Sequence, residues 1–308
     1  MATGRILIIR GGAIGDFVLT LPVLQALRDN FPEAKVDVLG YPKIANLAKI
    51  GGLANETKAI EAQAVASFFA RNGTLDKEWE AYFAAFEIII SFLYDPDDIF
   101  KTNVGRCSKA QFIQGPHRPS ETEDIHATDV FLEPLEQLAI FEADNIPRLT
   151  LTEKEPPTSS PHSYLAIHPG SGSKSKNWPI AQWIDLIKIL LTQTDWHFLI
   201  VGGEAEENEL KALQSTNRPD RIRFEISLPL DKLAPMLARC EGFVGHDSGI
   251  SHLAAALGIP GLVIWGPSNE SVWRPKSESV IVINHADGLE KLPIEQVLAR
   301  IPAPKKKG

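Results

Sequence analysis

Four segments, each with at least two glycines, follow runs of apolar, β-prone residues, and they hold the side chains best suited to chemistry. They span residues 11–16 (GGAIGD), 168–178 (HPGSGSKSKNW), 202–207 (GGEAEE) and 245–252 (GHDSGISH). In parallel α/β sheets, ligands bind beyond the carboxyl ends of the strands, where such segments lie. The pattern predicts a ligand site assembled from several strand ends.

The first segment has the glycines of a phosphate-binding turn but not its defining pattern. A dinucleotide fingerprint G-x-G-x-x-G needs glycine where Arg10 stands, and a P-loop needs Gly-Lys-Ser/Thr where the chain has Gly15, Asp16 and Phe17. A carboxylate at this position repels a phosphate. Two interpretations of Asp16 stay open: an N-cap, worth about 1 kcal/mol, or a general base.

The second segment combines small residues with hydroxyls and charge. Ser171 and Ser173 offer hydroxyl groups, and Lys174 and Lys176 offer ammonium groups, beside a glycine-serine turn. Groups of this kind at the end of a strand bind phosphate oxygens. The pattern favours a phosphate site over an ordinary basic loop.

The fourth segment places a turn before a helix of small residues. Backbone N–H groups of Ser248 and Gly249 would face outward from the helix N-terminus, which favours an anion. Asp247 beside them is compatible with a diphosphate only if it binds a hydroxyl or holds the loop. His252 shares a helix face with Ser248, so it is either a phosphate ligand or a core histidine.

The third segment is acidic and follows two glycines. Most of its glutamates suit the first turn of a helix, where negative charge is favourable. Either Glu204 or Glu206 is also placed to accept hydrogen bonds from ribose hydroxyls. Both interpretations remain open on the sequence alone.

Strands alternate with helices in both halves of the 308-residue chain, which is typical of parallel α/β folds. A stretch rich in proline and serine near residues 152–163 separates the halves. We predict two Rossmann-like, doubly wound domains, 1–152 and 164–308, with a linker at 153–163 and the ligand site between the domains. The helix predicted over 293–301 is a candidate to cross back onto the first domain, and residues 95–124 are predicted to be irregular.

Composition excludes several classes of protein. A net charge of −8 argues against broad nucleic-acid binding. The two cysteines have no CxxC spacing, and the N-terminus lacks the pattern of a signal peptide, so we expect a cytoplasmic protein. The basic tail Lys305–Lys307 leaves peripheral contact with the inner face of the cytoplasmic membrane as an alternative.

A metal site is not expected. Asp95, Pro96 and Asp97 form a D-x-D string of the kind that holds a divalent ion in some sugar transferases, but it lies in a polar loop and such strings arise often by chance. The histidines show no zinc-ligand spacing, and no G-x-S-x-G elbow is present. We expect no cofactor and no metal.

Three blocks of the sequence resemble the bacterial heptosyltransferases of glycosyltransferase family 9, which build the inner core of lipopolysaccharide. The blocks are residues 5–40 (RILIIRGGAIGDFVLTLPVLQALRDNFPEAKVDVLG), 167–187 (IHPGSGSKSKNWPIAQWIDLI) and 244–275 (VGHDSGISHLAAALGIPGLVIWGPSNESVWRP). The resemblance implies the GT-B fold, an inverting reaction without metal, ADP-heptose as donor and a lipid-linked or oligosaccharide acceptor.

The resemblance also implies roles for the residues singled out above. Asp16 corresponds to the catalytic base, Lys176 to the phosphate-binding lysine, and Asp247, Ser248 and Gly249 to the turn that grips the diphosphate, followed by His252. Either Glu204 or Glu206 corresponds to the ribose-binding glutamate. The first 152 residues carry 21 Asp and Glu against 14 Lys and Arg. This leaves few basic candidates for acceptor binding: Arg10, Lys101, Arg106 and Arg118. Gly15 is a further acceptor-binding candidate.

Three alternatives remain at this point. One is a family member that uses another nucleotide sugar or acceptor. Another is a GT-B-like epimerase or hydrolase of sugar nucleotides, which needs no acceptor. The last is a nucleotide-binding module without catalysis, for which a carboxylate at Asp16 has no purpose.

Overall fold

The chain divides into two compact units, each built on one parallel sheet. A computed structural model describes residues 4–151, 162–203, 206–214, 216 and 218–302. One unit comprises Met1–Ile146 and Thr150–Thr152, and the other comprises Pro147–Leu149 and Glu153–Gly308. Of the predicted linker at 153–163, all but the last two residues lie outside the described residues.

The first unit contains a five-stranded sheet in the order β3-β2-β1-β4-β5, with every pairing parallel. The chain therefore starts in the middle of the sheet and winds to one edge and then the other, as in Rossmann-like folds. The strands are β1 (Arg5–Arg10), β2 (Lys35–Gly40), β3 (Glu56–Ala59), β4 (Ile88–Ser91) and β5 (Gln111–Gln114). The helices are α1 (Ile14–Val18), α2 (Leu21–Asn30), α3 (Pro42–Ile50), α4 (Lys77–Ala84), α5 (Ile99–Gly105) and α6 (Ala127–Leu132).

Residues 95–124 are more regular than the sequence predicted, because they contain α5 and β5. The residue that stabilises the start of α5 precedes the helix. The Asp95 carboxylate accepts hydrogen bonds from the backbone N–H groups of Phe100 (3.1 Å) and Lys101 (3.0 Å). The strand β5 has four residues and pairs only with β4. The prediction of an irregular segment was wrong because both elements are short and depend on tertiary contacts.

The second unit contains a six-stranded parallel sheet in the order β11-β10-β9-β6-β7-β8. The strands are β6 (Tyr164–His168), β7 (His197–Gly202), β8 (Ile222–Ile226), β9 (Gly242–His246), β10 (Gly261–Ile264) and β11 (Val280–Ile283). The helices are α7 (Ile180–Gln193), α8 (Glu207–Gln214), α9 (Leu230–Leu237), α10 (Gly249–Ala256), α11 (Glu270–Trp273) and α12 (Ile294–Leu298). The winding order again reverses at the centre, between β6 and β9.

Both faces of the second sheet are covered. Along β10, Leu262 and Ile264 pack into the large core that includes Trp183, whereas Val263 packs into a separate cluster with Ala255 of α10. Successive side chains of a strand point to opposite faces, so helices lie on each side of the sheet. Strands that are buried on both faces and rich in β-branched residues are typical of doubly wound parallel sheets.

The final helix belongs to the second unit by its packing. Val297 of α12 is fully buried in the large core of that unit, and Ile294 and Leu298 pack against the same core. This packing explains the apolar spacing that predicted a helix over 293–301. Among the described residues, no helix is both long enough and apolar enough to cross a membrane.

Candidate active site

The Asp16 carboxylate lies in the first turn of α1, directly after the central strand of the first sheet. Ala13 occupies the N-cap position, and Asp16 Oδ2 accepts a hydrogen bond from the Ala13 backbone N–H at 2.9 Å. About a quarter of the side chain is exposed. Asp16 is therefore not the N-cap, although its carboxylate satisfies one N–H group at the helix start. The remaining oxygen is open to a further role.

The turn before α1 depends on Gly12, which has a φ of +99°. This region of φ is costly for residues with a side chain. A Cβ at Gly12 would also lie 2.9 Å from Asp16 Oδ2. The glycine thus allows both the turn and the close approach of the Asp16 carboxylate to the backbone.

Arg10, predicted to meet the acceptor, lies buried behind Asp16 with 2% of its surface exposed. Its Nη1 donates to the His117 carbonyl oxygen at 3.0 Å, and its Nη2 lies 3.3 Å from the Asp16 carbonyl oxygen and 3.8 Å from Asp16 Oδ1. The expectation of an acceptor contact does not fit this burial and is corrected: the Arg10 guanidinium faces protein groups.

The other acceptor candidates keep their status as predictions. Arg118 is exposed and pairs with Glu121 at 2.9 Å, and Gly15 lies within α1, where its carbonyl oxygen accepts from the Leu19 N–H. The D-x-D string serves the fold: Asp95 binds the start of α5, as described above, and Asp97 pairs with Arg71 at 3.1 Å.

In the second unit, the candidate residues gather where the winding order reverses. His168 ends β6 and lies level with Gly245 of β9, to which it is paired in register. The Ser248 hydroxyl, which follows β9, lies 3.2 Å from Nδ1 of His168 at the end of β6. The segments 168–178 and 245–252 are thus brought together at the carboxyl edge of the sheet, where this fold class binds its ligands.

Lys176 and Asp247 form an ion pair at this edge, with 2.7 Å between Nζ and Oδ2. The lysine side chain is 31% exposed and the aspartate 8%. Gly266, which follows β10, lies against the lysine backbone, and a Cβ there would be 3.0 Å from Lys176 Cα. Pairing with Lys176 explains how Asp247 is accommodated next to the anion site predicted from the sequence.

The hydroxyls of the 171–177 loop differ in availability. The Ser171 hydroxyl is buried and contacts the Ser173 carbonyl oxygen (2.8 Å) and the Asn177 side-chain amide (2.7 Å). The Ser173 hydroxyl is exposed and lies 2.9 Å from that of Ser175. Ser171 therefore shapes the loop, and the phosphate role predicted for both serines fits Ser173 better.

Ser248 is the N-cap of α10, since its hydroxyl accepts a hydrogen bond from the Ser251 N–H at 3.4 Å. The first N–H groups of the helix, beginning at Gly249, have no partner within the helix. They supply the partial positive charge predicted for this turn. His252, one turn into α10, is 6% exposed, as expected of a core histidine, and its ligand role stays a prediction.

Glu206 is buried beside Gly170. Its Oε2 accepts a hydrogen bond from the Gly203 N–H at 2.7 Å, and a Cβ at Gly170 would lie 2.0 Å from Glu206 Cγ. The carboxylate therefore closes the turn between β7 and α8. A ribose contact of Glu206 stays a prediction, and Glu204 lies outside the described residues.

Two buried histidines at this edge were not predicted as site residues. His246 Nε2 accepts a hydrogen bond from the Trp178 N–H at 2.7 Å, which fixes the end of the 171–177 loop. Burial lowers the pKa of His246 to about 3 and that of His168 to about 4, so both rings are neutral at pH 7. The only available signal was that each ends a buried strand.

Comparisons with known proteins agree with this architecture. The profile described as glycosyltransferase family 9 (heptosyltransferase) matches residues 132–298. The chain belongs to glycosyltransferase family 9. It is 23% identical to lipopolysaccharide heptosyltransferase 3 of Escherichia coli, over 87% of this chain and 85% of the relative.

Two solved structures share the fold of this family 9 enzyme. The glycosyl transferase family 9 structure from Veillonella parvula has a TM-score of 0.78 at 17% identity, covering 97% of this chain and 96% of that one. The E. coli heptosyltransferase WaaC with ADP has a TM-score of 0.76 at 19% identity, covering 96% and 98%. The predictions of a GT-B fold and of a glycosyltransferase are confirmed.

In the described part of this glycosyltransferase, no group of three or more His, Cys, Asp and Glu side chains is arranged to hold a metal ion. Of the cations predicted for the site, Arg10 is buried and Lys176 is partly exposed. The start of α10 adds partial positive charge in the second unit.

Proposed function

We propose that the enzyme transfers heptose from ADP-heptose to an inner-core acceptor of lipopolysaccharide, with inversion and without a metal. The observation that carries the proposal is the Lys176–Asp247 pair at the start of α10, which offers a half-buried cation to a diphosphate. The names of the relatives support the sugar and acceptor, and the WaaC structure with ADP supports the nucleotide. The reaction would take place on the cytoplasmic side of the membrane.

Asp16 would act as the general base. Its partly exposed carboxylate accepts the proton of an acceptor hydroxyl while the hydroxyl oxygen forms a bond to the anomeric carbon of the donor. The bond between that carbon and the phosphate oxygen breaks, and ADP leaves. A single displacement of this kind inverts the anomeric centre, and a positioned base contributes roughly 10² to 10⁴ in rate.

The leaving diphosphate would be stabilised by the second unit. Lys176 can turn from Asp247 to a phosphate oxygen, since 31% of its side chain is exposed. The N–H groups at the start of α10 add partial positive charge without side-chain reorganisation. Because these groups would offset the charge of the leaving diphosphate, we propose that no metal is required.

The acceptor would bind to the first unit, which offers little positive charge. Among the acceptor-binding candidates, Arg118 has an exposed guanidinium, which is already paired with Glu121. We therefore expect recognition of the acceptor to depend on sugar hydroxyls more than on phosphate groups. The lysines of the 305–307 tail lie outside the described residues.

Calorimetric titration with ADP, UDP and GDP, each with and without EDTA, tests the donor. We expect ADP to bind more tightly than UDP or GDP, with the same affinity in EDTA. Tighter binding of UDP or GDP would replace ADP-heptose, and loss of binding in EDTA would contradict metal independence. NMR of the product formed from ADP-heptose then tests inversion, since a retained anomeric configuration excludes the single displacement.

A further inference from the structure

Arg10 is an expensive residue to bury, and its contacts suggest what it does. Its side chain is 2% exposed, and its guanidinium lies 4.4 Å from the ring centre of Phe131 and 5.6 Å from that of Phe92. Removing a charged group from water is costly unless other groups compensate. Aromatic faces provide part of that compensation. The remaining partners are Asp16 and the carbonyl oxygen of His117.

The two terminal nitrogens of Arg10 reach different segments. Nη1 donates to the His117 carbonyl oxygen at 3.0 Å, while Nη2 lies 3.3 Å from the Asp16 carbonyl oxygen and 3.8 Å from its Oδ1. The planar fork therefore links α1 to the loop after β5. A lysine has one nitrogen on a flexible stem and cannot hold both directions in the same fixed geometry.

The charge of Arg10 is retained. Burial lowers the pKa of Arg10 to about 10, and the nearby Asp16 carboxylate opposes that change. The guanidinium is therefore positive at pH 7. In surroundings of low dielectric, this cation lies 3.8 Å from Asp16 Oδ1 and attracts it electrostatically, while the Ala13 N–H donates a hydrogen bond to Oδ2.

We propose that Arg10 is a positioning residue for the base: it fixes the orientation of the Asp16 carboxylate and does not contact substrate. This inference rests on the proposed function, in which Asp16 accepts the acceptor proton. A misplacement of about 1 Å in a reacting group can cost roughly 10²-fold in rate. Loss of the fork should thus lower kcat without weakening the binding of ADP.

Arg5 provides a matched control at the other end of the same strand. Its Nη2 lies 2.6 Å from Asp37 Oδ2, and its guanidinium lies 4.6 Å from the ring centre of Phe86. The two arginines therefore share a strand, an aspartate partner and an aromatic neighbour. Only Arg10 is next to Asp16, so Arg5→Met reports the effect of removing an arginine from the same strand away from the proposed base. Arg5 is the more exposed of the two, at 34% against 2%.

The first test is a double-mutant cycle between Arg10→Met and Asp16→Asn, with Arg5→Met in parallel. We expect Arg10→Met to lower kcat about 10- to 100-fold with the dissociation constant of ADP unchanged. In the Asp16→Asn background the same change should alter kcat less than about threefold, because residues that act as a unit are not additive. Arg5→Met should leave kcat within about twofold of the wild type.

Equal losses in both backgrounds would overturn the proposal, since they would show that Arg10 acts independently of Asp16. If Arg10→Met does not fold, Arg10→Lys replaces it in the same cycle. It keeps the charge but not the fork, and a wild-type kcat in this variant would show that geometry is not what Arg10 supplies.

A second readout separates this inference from the proposed function. In protein labelled with ¹³C at the aspartate carboxyls, the resonance missing from Asp16→Asn belongs to Asp16. We expect that resonance to move in Arg10→Met and Arg10→Lys and to stay in place in Arg5→Met. An unmoved resonance overturns the positioning role whatever the enzyme transfers, whereas failure to turn over ADP-heptose with a moved resonance overturns only the proposed function.

Discussion

The two units use the same kind of sheet edge but distribute charge in opposite ways. In the first unit the cation is buried and the anion is partly exposed: Arg10 is 2% exposed and the Asp16 side chain 24%. In the second unit the anion is buried and the cation is partly exposed, because Asp247 is 8% exposed and Lys176 31%. In each pair a buried charge lies beside a partly exposed charge of opposite sign.

This contrast matches the roles proposed above for Asp16 and Lys176. An exposed carboxylate suits a group that accepts a proton, and an exposed ammonium suits a group that binds phosphate. Breaking a pair by removing one partner leaves the other uncompensated, which is more harmful the more deeply that partner is buried. The following changes test the contrast, beginning with the largest expected effect.

Removing the Asp16 charge should lower turnover and leave the affinity for ADP unchanged. Asp16→Asn keeps the size of the side chain but cannot accept a proton, so we expect kcat to fall about 10²-fold or more with the affinity for ADP unchanged. Steady-state kinetics and calorimetry on the same preparation measure both. Unchanged turnover would return Asp16 to a purely structural role at the start of α1.

Removing the Lys176 charge should lower the affinity for the nucleotide. Lys176→Ala should weaken ADP about 10- to 100-fold, the loss expected for a hydrogen bond to a charged group, and weaken adenosine far less. Lys174→Ala is the control, since Lys174 is an exposed neighbour in the same short turn. Equal losses for ADP and adenosine would show that Lys176 does not bind the diphosphate.

Acid should destabilise the second unit more than the first, because the buried histidines His168 and His246 are in the second unit. Their pKa values are lowered from 6.5 to about 4 for His168 and about 3 for His246, so the unfolded chain binds more protons between those values and 6.5. Their contribution to stability is complete above about pH 6.5 and is lost as the pH falls. The loss reaches about 1.4 kcal/mol per pH unit for each histidine.

Hydrogen exchange at pH 7 and pH 5 measures this difference by strand. We expect β6 and β9 to lose more protection than β1 and β2. In His168→Gln, urea unfolding should show a smaller drop in the free energy of unfolding over the same pH range. An identical drop would mean that His168 has the same pKa in the folded and unfolded states.

The smallest effect is expected at Asp95 of the first unit. Asp95→Ala removes the acceptor for two N–H groups at the start of α5, which should cost about 1 kcal/mol of stability. Transfer activity should remain, with or without EDTA. A loss of activity restored by a divalent ion would instead assign Asp95 to a metal site.

The sequence predicted those features that depend on local pattern. The run RILIIR followed by glycines predicted both β1 and the turn that carries Asp16, and the order of strands and helices predicted two doubly wound units. It did not predict α5, since the Asp95 side chain that binds its N-terminus precedes the helix and looks like part of a polar loop.

The candidate site was predictable only in part. Lys176 and Asp247 were both identified, but their pairing depends on the contact between segments that are far apart in sequence. Arg10 was predicted to contact the acceptor because it is one of the few basic candidates in an acidic first unit. Its burial depends on two aromatic rings, Phe92 and Phe131, that the sequence does not link to it.

Gly170 has a consequence for how the family can vary. Every residue other than glycine adds a Cβ, which would lie 2.0 Å from Glu206 Cγ and displace a carboxylate that holds the Gly203 N–H. Position 170 therefore cannot gain a side chain while Glu206 keeps its place. Among homologous sequences we expect the two columns to covary, with a larger residue at 170 accompanied by a smaller one at 206.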